Sequence, residues 1–374
     1  MDFTFSEEQQ MLLETTRRFI AKDLGFAARR HSAAHSADGF SRAAWQGFAD
    51  LGLLALQVPE QDGGLGGSPI DTMLVMGALG EGLVLEPYLA SAVLATRTIA
   101  ALGNADQRVA LLPALAAGQA IAVLAHDEAS TRFDRQAVAT RAQPNDDGYV
   151  LNGHKSVIVH GPSADTLLVT ARLTDSEELA VFVVPRNAAG LQQIAYTTVD
   201  GVRTGDIRLE QVQVPAHALL DGAADASAAL EEALDIGLAA LCAEAVGALD
   251  RVLAATVEYT RTRKQFGVPI STFQALQHRM ADMVLHIEQA RSMSYLAAVR
   301  CQDRDPAARG AALSATKVVV GQACRFVGQQ AVQLHGGMGV SDELDVSHYF
   351  KRLMAIELQF GSTDWHLERY ARQL

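Results

Sequence analysis

The sequence predicts an α+β fold that is mostly α: a helical N-terminal domain over residues 1–119, a central antiparallel β domain over 120–224, and a helical C-terminal domain over 225–374. Three observations carry the prediction. Apolar residues recur at three- and four-residue spacing in the first third of the chain. The period then shortens to two, in β-branched runs separated by turn residues. Long helical periodicity returns from Ala228 onward. A chain of 374 residues is also too long for one ordinary core.

In the first domain Met11, Leu12, Thr15, Phe19 and Ile20 mark one helix and residues 73–85 another. Breaks between helices fall at Gly63, Gly64, Gly66 and Gly67, at Pro87, and at Gly103 with Asn104, all turn chemistry. In the middle domain the runs 149–151, 156–160, 166–169 and 180–184 read as short strands. Asp146 to Gly148, Asn152 with Gly153, and Pro185 separate them. In the last domain Leu238, Leu241, Ala245, Leu249 and Val252 share a helix face, and Val319, Ala323, Phe326 and Val327 share another. Neither an internal repeat nor a low-complexity segment interrupts this order.

Composition excludes several function classes. Forty-three acidic residues against 31 basic ones disfavour a nucleic-acid partner. Apolar runs such as 121–125 and 318–320 fall far short of the ~20 residues a membrane span needs. The first residues are acidic and amphipathic, so no secretory signal is expected. Cys242, Cys301 and Cys324 lack metal-ligand spacing and an even count for bridges, which fits a reducing cytoplasm. Neither a metal nor a membrane is expected.

The sequence has no G-x-G-x-x-G, Walker A, G-x-S-x-G or H-E-x-x-H pattern and no cysteine pair. Two polar, glycine-bearing stretches remain. In the first, a helix ends near Tyr259 in Arg261, Arg263 and Lys264, turns at Gly267 to Pro269, and restarts with Ser271 as its expected N-cap. Such a cluster either complements the helix's own dipole or receives a phosphate; Phe266 and Gln274 beside it favour a ligand. In the second, QLHGGMG at 333–339 ends a long helix and exposes backbone N–H groups. His335 there reads as structural more readily than as a base.

Together with VPEQDGGLG at 58–66, NGHK at 152–155, TRKQFG at 262–267, and FQ at 273–274 followed by MADM at 280–283, the QLHGGMG stretch resembles acyl-CoA dehydrogenases in order and spacing, from Phe3 to the C-terminus. AALCAEAVG at 239–247 and FVGQQAVQLHGG at 326–337 look most like the pimeloyl-CoA dehydrogenase small-subunit group. The resemblance implies a C-terminal four-helix bundle, bound FAD, an acyl-CoA substrate, a homomeric or mixed tetramer, and an electron-transferring flavoprotein as acceptor. It places Arg263 and Phe266 on the FAD pyrophosphate and adenosine of a neighbouring chain, with Gln274 beside them. It places Gln333, Gly336 and Gly337 against the adenosine-diphosphate portion. Val157 to Val159 would face the flavin ring, and Thr363 and Trp365 its phosphate side.

At the base the pattern departs from the family's. The usual Tyr-Glu-Gly-Thr is FGST at 360–363, so Gly361 stands where the glutamate is expected. Its backbone N–H is expected to remain available to a thioester oxygen. The family's alternative glutamate position is Gly237. Asp235 matches an aspartate near the CoA adenine, but the arginine three residues on is Leu238. The flavin and substrate loop is altered to HDEASTRFD at 126–134, which opens with His126. Asp364, Glu357 and Asp235 are the candidate substitute bases; the bland alternative for Asp364 is to N-cap the last helix. Three readings follow: a companion subunit whose partner supplies the base, a self-sufficient dehydrogenase, or a flavin-binding scaffold.

Overall fold

The computed structural model describes residues 4–372; Phe3, where the resemblance begins, and the last two residues of the chain lie outside the described residues. The elements run α1 (Glu7–Asp23), α2 (Phe26–His35), α3 (Arg42–Asp50), α4 (Pro69–Glu81), α5 (Thr96–Leu102) and α6 (Ala105–Ala116). The strands β1 (Ala122–Ala125), β2 (Arg141–Asn145), β3 (Gly148–Val159), β4 (Thr166–Leu173), β5 (Leu179–Pro185), β6 (Leu191–Thr197) and β7 (Arg203–Pro215) follow. After α7 (Ala226–Thr262) come β8 (Lys264–Gln265), β9 (Val268–Pro269), α8 (Gln274–Arg300), α9 (Pro306–His335), α10 (Asp345–Leu358) and α11 (Thr363–Ala371). Capping boxes start α1 and α6: Ser6 with Gln9, and Asn104 with Gln107.

The chain divides into two compact units. One takes the residues up to Arg29, Pro69–Val84 and those from Leu238 on. Its core includes a crossing of α4 and α7 that only glycine permits. A Cβ on Gly80 would lie 2.0 Å from the Glu244 carbonyl oxygen, and one on Gly247 would lie 1.9 Å from that of Gly77. Arg352 of α10 closes on Glu244 in a bidentate pair at 2.6 and 2.8 Å. Met11 faces solvent although it belongs to the predicted α1 face; Ile20 is buried as expected.

The other unit, Arg30–Ser68 with Leu85–Gly237, packs Trp45, Phe48 and Tyr88 edge to face and holds the sheet. Strand order is β1-β4-β2-β3-β7-β6, with β5 on β4. Pairing is antiparallel except that β1 and β2 both run parallel to β4. Residues 149–160 behave differently from expectation. Asn152 and Gly153 do not end a strand; they form an irregularity inside β3, where the Asn152 side-chain oxygen accepts from the backbone N–H of Gln211 at 2.9 Å. A second register shift falls between Lys155 and Ile158 and leaves Val157 at φ 58°, with 53% of its surface exposed.

Candidate functional site

The two glycine-bearing stretches meet at one end of the helical unit. Beyond α7, β8 and β9 form a hairpin whose two turn residues, Phe266 and Gly267, have φ of 53° and 82°, the twist a two-residue hairpin favours. The turn holds Phe266 93% exposed, edge-on to Phe273. Arg263 and Gln274 are exposed beside it. Ser271 does not cap α8: Pro269 leads into a short 3-10 turn, Ile270–Thr272, and the N-cap position falls to Phe273, which makes no side-chain cap. Gln274 is therefore the first residue of α8.

The end of α9 lies against the same region. Tyr259 stacks on His335 with centroids 4.3 Å apart and donates its hydroxyl to the His335 carbonyl at 3.3 Å. Burial holds His335 below the usual imidazole range, and its Nδ1 donates to the Ala331 carbonyl at 2.8 Å. The histidine is thereby structural. Gln333, Gly336 and Gly337 are exposed, and a Cβ added to either glycine would meet nothing within 4 Å. An exposed guanidinium, an exposed aromatic ring and open glycine backbone suit a dinucleotide with a pyrophosphate, so these residues fit FAD.

The turn from Phe360 to Thr363, where the base is expected, is built around a buried cation. Lys317 of α9, fully buried, donates its Nζ to the carbonyls of Glu357 at 2.9 Å and Gly361 at 2.6 Å. Burial lowers its pKa. The Gly361 N–H, expected to be available, donates to the Leu358 carbonyl at 3.2 Å and closes the turn between α10 and α11. Glu357, 2% exposed, accepts from the Thr363 N–H at 3.1 Å and from Arg325 at 3.2 Å. These contacts tie the carboxylate to the first residue of α11 and to α9. Asp364 does not cap α11; Ser362 does, accepting from the Trp365 N–H at 3.3 Å, which leaves Asp364 on the exposed first turn. Thr363 is buried and the Trp365 ring lies under the Arg369 guanidinium.

In the sheet-bearing unit the altered 126–134 loop is fastened from inside. Glu128 accepts from the N–H groups of Ala139 at 2.8 Å and Thr140 at 3.0 Å, from the Thr140 hydroxyl at 2.6 Å, and from Lys155 at 2.7 Å. Burial opposes ionisation of Glu128, but Lys155 and these donors hold it below the usual carboxylate range. Burial lowers Lys155 to about 8, so it stays charged at neutral pH. His126, buried with Nδ1 3.1 Å from the Thr170 hydroxyl, is pushed to about 3 by burial and by the charges of Lys155 and Arg135; it is neutral. Asp235 is 1% exposed and paired with Arg135 at 2.6 Å, so it too is engaged. The Val157 N–H is held by Asp206 at 3.0 Å, and Tyr196 donates to the same oxygen at 2.8 Å.

Lys317, His366 and Arg135 were missed in the sequence. Lys317 alone carries a signal, a charged residue inside the apolar helical run ATKVVV at 315–320; Arg135 and His366 lie in polar stretches that give none.

Family models described as acyl-CoA dehydrogenase match the chain in series: the N-terminal domain over residues 6–119, the middle domain over 124–212 and the C-terminal domain over 227–374. A probable acyl-CoA dehydrogenase of Bacillus subtilis, YngJ, is 31% identical over the full length of both chains. The human mitochondrial short-chain specific acyl-CoA dehydrogenase is 28% identical over 96% of this chain and 88% of its own. Among solved structures, the ChsE4-ChsE5 complex from Mycobacterium tuberculosis superposes with a TM-score of 0.89 at 27% identity, covering 100% of this chain and 98% of the other.

Proposed function

The chain belongs to the acyl-CoA dehydrogenase family and is an FAD-dependent oxidoreductase, and from that premise we propose that it serves as the companion subunit of a mixed tetramer whose partner chain supplies the catalytic carboxylate. One observation carries the proposal: at the turn where the family places its base, residue 361 is glycine and the neighbouring Glu357 is held by Thr363 and Arg325. Asp235, the other buried candidate, is held by Arg135. A carboxylate must be free to accept a proton from the α carbon of a thioester, and removing such a base typically lowers the rate ~10²- to 10⁴-fold. The similarity to a chain of a two-component complex supports the same reading.

FAD, when bound, accepts the hydride from the β carbon of the acyl group. In this reading the exposed Arg263 pairs with the pyrophosphate, Phe266 covers the adenosine, and Gln274 lies beside them. Gln333 and the open backbone at Gly336 and Gly337 receive the adenosine-diphosphate portion. Val157 and Val159 present an apolar strand to the ring, with Thr363 and Trp365 toward the phosphates. An electron-transferring flavoprotein reoxidises the assembly. Asp364, exposed on the first turn of α11, is the carboxylate a self-sufficient enzyme would use.

The test is steady-state reduction of an artificial acceptor by acyl-CoA, with the chain purified alone and then with whatever chain co-purifies from the native cell. Turnover only in the complex is expected. Turnover by the lone chain that vanishes in Asp364→Asn would establish the self-sufficient enzyme instead. A lone chain and complex both without flavin would leave a scaffold.

A further inference from the structure

The turn between α10 and α11 does more than omit a carboxylate. Phe360 and Gly361 both have positive φ, 59° and 115°, and a non-glycine residue stays in that region only where its surroundings over-determine it. Here they do. His366 Nε2 donates to the Phe360 carbonyl at 3.0 Å, while its Nδ1 faces the Ser314 hydroxyl at 3.3 Å. Lys317 holds the Gly361 carbonyl, and the Gly361 N–H closes on Leu358. A Cβ built on Gly361 would lie 2.8 Å from Trp365 Cε3 and 2.9 Å from His366 Nε2, closer than real Cβ atoms approach other heavy atoms.

We infer that position 361 is committed to glycine: Lys317 and His366 are positioning residues that lock the turn so that any side chain there drives into α11. The inference deepens the companion-subunit reading, on which it rests, because a single exchange then cannot return the missing base to this chain. The glycine is part of the local fold.

The full chain with added FAD tests it through Gly361→Ala and Gly361→Glu. Both are expected to melt at least ~3 °C below the parent, Gly361→Glu further than Gly361→Ala, because each carries strain and a clash. Neither gains acyl-CoA-dependent dye reduction. Gly25→Ala, where a Cβ would meet nothing within 4 Å, controls for loss of a glycine and should shift little. Lys317→Met combined with Gly361→Ala should cost less than the sum of the separate shifts, since both release one turn; additive shifts would remove Lys317 from the positioning role. An unchanged melting temperature in Gly361→Ala, or dye reduction by Gly361→Glu, would overturn the inference. The companion reading fails differently, through turnover by the unaltered chain, so the two failures are distinguishable.

Discussion

Two fully buried lysines, one in each unit, solve the same problem in opposite ways. Lys155 lies against a carboxylate, Glu128 at 2.7 Å, with the Thr170 hydroxyl at 3.0 Å and the His126 carbonyl at 3.3 Å. Lys317 has a carboxylate-bearing neighbour, Glu357, yet bonds to its backbone carbonyl and to that of Gly361. The Glu357 side chain points instead to Thr363 and Arg325. The first lysine balances charge with charge and fastens a loop. The second balances charge with peptide dipoles and sets the course of the backbone at the turn between α10 and α11. A buried charge bonded to carbonyls shapes the main chain, whereas one bonded to a carboxylate anchors a side chain.

The largest expected effect breaks the first arrangement. Lys155→Met leaves Glu128 charged and unpaired in the interior, and such losses cost about 3–5 kcal/mol. Chemical denaturation should show this, and the double variant Lys155→Met/Glu128→Gln should recover part of it.

Acid comes next. His126 is held neutral in the fold, far below its ordinary 6.5. The unfolded chain takes up a proton near pH 6.5 while the folded chain resists to about pH 3, so its contribution to stability is full above pH 6.5 and is lost as pH falls toward 3. His126→Gln should flatten that window in a series of melting curves.

Lys317→Met should cost less, about 1–3 kcal/mol, because the lost bonds to carbonyls are offset by removing a buried charge. An equal or greater loss than at Lys155 would contradict the distinction between the two lysines. Smallest in stability is Arg263→Ala, within about 0.5 kcal/mol because the side chain is exposed. Its effect appears elsewhere: flavin retention should weaken about 10- to 100-fold, as expected for losing a charge-assisted pair, read by equilibrium dialysis.

These two regions also divide what the sequence made legible. The change of period from helix to strand and back follows from side-chain spacing alone, and Pro87 and Asn104 fall at real helix starts. The exposed residues of the hairpin and of the α9 end were legible because turn glycines mark them. Asn152 with Gly153 was misread, because a turn and a bulge demand the same backbone freedom and only the partner strand distinguishes them. Ser271 and Asp364 were each misplaced as caps by two residues, because the local backbone, and not the residue type alone, chooses where the helix starts. Lys317 with Gly361 and Arg135 with Asp235 pair across 44 and 100 residues, a separation that no periodicity encodes.

The central claim is that this chain holds no working base of its own. It is tested most directly by mixing the flavin-loaded chain anaerobically with a saturated acyl-CoA and following the visible flavin band through one turnover. The band should persist with the chain alone and bleach once the partner chain is present. Bleaching at full amplitude in the absence of any second polypeptide would contradict the account.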